Sequence, residues 1–301
     1  MNIKKFIRHN IGAYYMTVAS LFFAITGACA KAVSAGGMSS VEVSFFRNVV
    51  GLGIVVFGIY KYGTNNKGGQ PVMLFLRGFI GTISMLAFFY NIATIGLAEA
   101  FTFAKTAPMF LAFFGVIFFG EKIGFKAWFG IFLGFFGILL IMQPNLGFKI
   151  SHAMGLINGV LAAFAYLSVH ELRKSYDTKT IVLSFMLSGT LIPVFCMVVA
   201  EFVNTPAFFD FMFAKFIMPS GISWLWIVLM GVSGLVFQSY MTKAYAASKH
   251  AGTVAAIGYT DIIFSMIIGF FMGDNLPNLL AFLGIIIVII SGVIVATQNK
   301  K

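Results

Sequence analysis

Apolar residues run through this chain in long blocks separated by short polar stretches. Ten blocks stand out, at 12–33, 40–60, 72–94, 97–119, 126–143, 153–172, 180–200, 222–243, 250–273 and 278–297. Each has the roughly 17–25 residues that an α-helix needs to cross a bilayer. The blocks are too long and too uniformly apolar for open-sheet strands. A backbone facing lipid must also satisfy its own hydrogen bonds, which a helix does. The pattern predicts an all-α integral membrane protein with ten transmembrane helices.

The second half of the pattern repeats the first. A shift of 153 residues brings Gly78-x-x-Gly81 onto Gly231-x-x-Gly234, Ala93 onto Ala246 and Ala98 onto Ala251. The same shift brings Phe118-Phe119-Gly120-Glu121 onto Phe271-Met272-Gly273-Asp274. The predicted units are 12–143 and 153–297, divided near 144–151. Five spans per unit is an odd number, so the copies would sit upside down relative to each other. Inverted repeats of this kind place a binding site between them, near the bilayer midplane.

Composition supports the membrane reading. The chain is 60% apolar and only 10% charged, where soluble domains carry about a quarter charged residues. Its net charge of +11 invites a nucleic-acid partner until the charges are placed. With the N-terminus in the cytoplasm, 15 Lys and Arg fall on cytoplasmic ends and loops and three (Lys31, Lys149, Lys215) on the other side. That is the positive-inside bias. It puts both termini in the cytoplasm, and the charge encodes topology, not a polyanion partner. The first block is too long for a signal peptide and lacks its cleavage site. Cys29 and Cys196 lie within spans and read as packing residues. The four histidines form no ligand set, and no Walker-type loop or Ser-His-Asp set occurs, so neither an enzyme nor a cofactor is expected. Loops are short. The run 62–69 reads as flexible, and the outer loop 201–221 carries an aromatic stretch at 208–213 suited to the membrane interface. The glycines of the fifth and tenth spans, including Gly130-x-x-x-Gly134, allow close helix packing or a homodimer contact.

Charges inside spans cost about 2.5–3.5 kcal/mol each on insertion scales, so each calls for a role. Arg47, Lys105 and Asp261 lie well inside. Pro108 interrupts the fourth span beside Lys105 and Thr106. The equivalent run in the ninth span is Gly258-Tyr259-Thr260-Asp261. Paired interruptions at matching positions point to a transport site. The candidate substrate-binding or gating residues are therefore Arg47, Lys105, Thr106, Pro108, Tyr259, Thr260 and Asp261. Asp261 could equally be the counter-ion of Lys105 or Arg47. Glu99 reads as a vestibule charge, and Glu42 and Arg77, nearer helix ends, read as anchors.

An ordered series of short features resembles the EamA type of the drug/metabolite transporter superfamily. It comprises Phe45-Phe46-Arg47, Leu76-Arg77-Gly78, Ala98, Pro108, Phe119-Gly120-Glu121, Gly130, Gly137 and Gln143-Pro144, then Gly273-Asp274, Gly284 and Gly292. The resemblance implies a basket of ten helices around a central cavity, with alternating access. It departs from the family at Thr260-Asp261, where a Glu-Pro pair is common; the acid is displaced by one residue. The Phe-Phe-Arg and Leu-Arg-Gly details look most like bacterial members that import S-adenosylmethionine or riboflavin. The expected activity is a secondary carrier in the bacterial inner membrane. Its expected substrate is a small polar metabolite bearing a carboxylate, such as S-adenosylmethionine or an amino-acid derivative. An exporter of the same fold, a non-transporting accessory protein and a passive channel are the alternatives.

Overall fold

The computed structural model describes residues 11–119, 124–143, 149–203, 205–247 and 257–297. Helices occupy most of them, with no strand among the described residues. In the first half, α1 is Ile11–Ala35, α2 Ser40–Tyr62, α3 Pro71–Thr94, α4 Leu97–Ala104, α5 Ala107–Phe119 and α6 Phe125–Met142. In the second, α7 is Ile150–Leu172, α8 Thr178–Phe202, α9 Ser223–Ala247, α10 Thr260–Phe271 and α11 Leu279–Thr297. Several features named above lie outside the described residues: Gly120, Glu121, Pro144, Ala251, His9, His250 and the basic residues of the two termini.

Six helices (α1, α2, α3, α7, α8 and α9) are each long and apolar enough to cross a membrane. Ten spans were expected. The fourth is divided between α4 and α5, the described part of the ninth is the short α10, and the fifth and tenth hold shorter apolar stretches in α6 and α11. Large apolar side chains face outward along these helices, among them Phe57, Phe75, Phe132, Phe195 and Leu191. Arginine, asparagine and serine side chains lie inside. That distribution suits lipid outside and polar contacts within.

Helices pack where small residues let them. α1 lies against α9, α3 against α7, α2 against α8 and α6 against α11. At the α2–α8 crossing, a Cβ on Gly51 would press into Met186, and one on Gly189 into Asn48. At the α6–α11 crossing, Gly137 and Gly284 each abut the other's carbonyl, and Ser291 Oγ donates to Gly130 O at 2.6 Å. Gly78 packs against Ser184 and Ser188 of α8, and Gly231 against Val50 of α2.

The ends are tied as well. Ser39 and Glu42 form a capping box at the start of α2, which satisfies orphan N–H groups of its first turn. Glu42 also accepts from the backbone of Ile217, fastening the 210–217 segment; in the aromatic loop itself Phe211 is buried. At the opposite end, the 63–70 segment is pinned to the turn between α7 and α8, contrary to the flexibility its composition suggests. Asn66 Oδ1 accepts from Asp177 N at 2.9 Å, Asn65 N donates to Asp177 Oδ2 at 3.2 Å, and Lys67 N donates to Ser175 O at 2.8 Å.

Candidate functional site

Two charged centres occupy the interior. The first forms where two helices break. α4 ends at Ala104, Lys105 and Thr106 turn, and α5 restarts at Ala107. Pro108 sits in the first turn of α5, where its missing N–H costs no helical bond. In the second half, Tyr259 turns and α10 restarts at Thr260. The breaks face each other. Lys105 Nζ lies 2.6 Å from Asp261 Oδ2, with the aspartate side chain fully buried. Tyr259 OH donates to the Lys105 carbonyl at 2.9 Å, taking up an acceptor the break leaves without a helical partner. The tyrosine ring fits only because position 292 is glycine, since a Cβ there would overlap it.

The two threonines serve the backbone. Thr106 Oγ1 donates to Phe103 O at 2.6 Å, and Thr260 Oγ1 to Ile257 O at 2.8 Å. Both hydroxyl protons are thus spent on helix ends, which leaves each oxygen free to accept but not to donate to a ligand. Gly258 is close to Lys105 Nζ: a Cβ there would come within 3.3 Å of it.

The second centre is a cavity of about 60 Å³ between the halves, with room for a few water molecules. Arg47, Arg77, Asn158, Gln238, Phe23 and Phe88 are among its walls. Arg47 and Arg77 are 3% and 4% exposed. Both guanidinium groups address one ring, Phe185, with Cζ 5.3 Å from its centroid for Arg47 and 4.7 Å for Arg77. Arg47 donates to Asn48 Oδ1 at 3.0 Å and to Gly234 O at 3.1 Å. No carboxylate lies within 4.0 Å of either arginine among the described residues. Arg47 Nε and Arg77 Nε and Nη1 lack acceptors. Each guanidinium rests over a glycine of the paired motifs, Arg77 over Gly81 and Arg47 over Gly234, where a Cβ would collide with it.

Of the residues expected at the site, the structure brings Lys105, Tyr259 and Asp261 together. Arg47 belongs to the other centre, and the counter-ion of Asp261 is Lys105. Arg77, read as an anchor, turns inward. Phe23 links the centres: its ring lines the cavity and has Lys105 Nζ 5.8 Å from its centroid. Glu99 lines a separate recess beside Asp274. There Asp274 pairs with Lys31 and accepts from Leu97 N at 3.1 Å. Lys31, counted above on the outer side, lies in the last turns of α1.

Residues 10–143 match the EamA-like transporter family. A Helicobacter pylori protein described as an uncharacterized transporter is 30% identical over 292 residues, covering 95% of this chain and 94% of its own. The chain belongs to the EamA-like transporter family. The pseudopaline exporter of Pseudomonas aeruginosa is 26% identical, covering 96% of this chain and 97% of its own. The S-adenosylmethionine uptake transporter of Rickettsia felis is 22% identical, covering 88% and 85%. One solved crystal structure superposes with a TM-score of 0.62 at 17% identity, over 96% of this chain and 98% of that one; at that identity the likeness is one of fold. The protein is a multi-pass membrane transporter of this family, acting on small molecules in a membrane.

Proposed function

We propose that the chain is a secondary carrier for a small polar metabolite, working by alternating access between two inverted five-span repeats, 12–143 and 153–297. The repeat reading draws support from paired contacts. α5 and α10 restart at Ala107 and Thr260, which the 153-residue shift superposes. The α2–α8 contacts exchange in kind, Gly51 on Met186 matching Gly189 on Asn48. Gly78 with Ser188 likewise matches Gly231 with Val50. The positive-inside bias supports cytoplasmic termini in a bacterial inner membrane.

The observation that carries the site assignment is a pair of buried arginines without a carboxylate partner among the described residues, in a cavity walled by both halves. Guanidinium groups stay protonated in proteins, and their geometry suits carboxylates. A substrate carrying at least one anionic group, of which a carboxylate is the simplest, fits that pair. At about 60 Å³ the cavity is far below the 300–1,000 Å³ of ordinary ligand sites, so the halves must part to admit it. Lys105 and Asp261 act as a gate beside the cavity, closing across the two helix breaks. The relatives include an exporter and an uptake protein, and direction follows the gradients in either case.

The test is counterflow in liposomes holding the purified protein, using labelled S-adenosylmethionine, riboflavin and a pool of amino acids. The expected outcome is saturable counterflow of one compound, reduced in Lys105→Ala at equal abundance. Wild-type counterflow in that variant would remove Lys105 from the mechanism. Flux without saturation would replace the carrier with a channel.

A further inference from the structure

Resting on the carrier reading, we propose that the cavity takes a substrate with two negative charges, either a dicarboxylate or a phosphate monoester, placed between Arg47 and Arg77. The argument is one of charge balance. Burying an ion is costly even after relaxation. A cation–π contact returns less than that, so the shared Phe185 ring offsets only part of it. The buried acids are engaged elsewhere. Asp261 faces Lys105, and Glu42 serves the Ser39 cap and Ile217. The cavity is left with two positive charges, and a monocarboxylate would leave one uncompensated.

The arrangement also has the geometry of a two-point site. Both guanidinium carbons sit on one ring, so their separation cannot exceed the sum of the 5.3 and 4.7 Å distances. Two carboxylates on a short carbon chain, or the oxygens of one phosphate, bridge such a gap. Acceptor-free N–H groups remain on both arginines. Asn158 adds the complementary feature. Its amide donates to Ser84 O at 2.8 Å, while its Oδ1 has no donor. A hydroxyl or ammonium on the substrate fits there.

The experiment measures melting temperature and ligand affinity of the purified full chain in detergent at constant ionic strength. The probes are succinate, malate, glycerol 3-phosphate, sulfate, lactate and chloride. At least one organic dianion should bind about tenfold or more tighter than lactate, which corresponds to about 1.4 kcal/mol. Succinate or malate ahead of glycerol 3-phosphate identifies the dicarboxylate source, and the reverse order the phosphate source. Arg47→Gln and Arg77→Gln should each remove the preference while leaving the weak lactate response. Arg77→Lys, which keeps the charge and loses the fork, should retain a reduced preference and guards against misfolding of the Gln variants. The proposal is overturned if no organic dianion exceeds lactate, if sulfate alone does so, or if the preference survives both Gln variants. Saturable counterflow of a monoanionic compound with no dianion preference would overturn this inference alone and leave the carrier intact.

Discussion

The two charged centres solve the same problem in opposite ways. Lys105 and Asp261 neutralise each other at 2.6 Å, with the lysine carbonyl held by Tyr259. Arg47 and Arg77 share a ring and meet no acid among the described residues. A self-neutralised pair can stay closed without any ligand. A pair of like charges is stable only to the extent that something else completes it. Under the proposed function, the contrast separates a gate from a binding site, although both are built of charges inside a membrane protein.

The comparison breaks most visibly at Asp261. Asp261→Ala should leave Lys105 buried without a partner and lower stability by about 3–5 kcal/mol, read as a fall in melting temperature in detergent. Lys105→Met combined with Asp261→Leu should recover most of that loss, because apolar replacements of a buried pair are often neutral or better. Failure of the double variant to recover would mean that the ion pair holds the broken helices in place, beyond balancing its own charges. Phe185→Leu tests the other centre. It should cost about 1–2 kcal/mol through the lost cation–π contacts and weaken substrate binding. An unchanged affinity would show that the ring does not position the guanidiniums. The smallest effect belongs to Ser291→Ala, away from both centres. Losing its bond to Gly130 O should cost about 0.6 kcal/mol, the mean for hydrogen bonds between membrane helices, with transport unchanged. It sets the baseline against which the other two are read.

What the sequence disclosed follows the same division. Lys105 and Asp261 were visible because a charge in the middle of an apolar block has no inexpensive explanation, and a proline or glycine lay beside each. Arg77 was hidden by its place six residues after the start of α3, where a basic residue reads as an interfacial anchor. A local sign was available: Gly81 stands one helical turn on, and a glycine at that spacing opens a seat for a long side chain turned inward. Arg47 was visible, like Lys105 and Asp261, as a charge inside an apolar block, but no local sign disclosed its seat, because Gly234 comes from the other half of the chain. Thr106 and Thr260 show a role the sequence did not disclose. A hydroxyl beside a helix break meets an unsatisfied carbonyl of its own backbone before it can meet a ligand. The 63–70 segment has the composition of a mobile loop, and only tertiary contacts, with Asp177 and Ser175, give it a fixed place.

That fastened segment bears on how quickly the protein can work. Its bonds join the connection between α2 and α3 to the one between α7 and α8, so they bridge the two halves at one mouth of the bundle. Each lies near water and contributes little alone, about 0.5–1.5 kcal/mol. Because they tie the same two loops, they must give way together when that mouth opens. Under the proposed alternating-access mechanism, this clasp of polar loop contacts adds to the barrier to opening at the rim. In that mechanism, residues such as Asn66 and Asp177 tune turnover from outside the cavity.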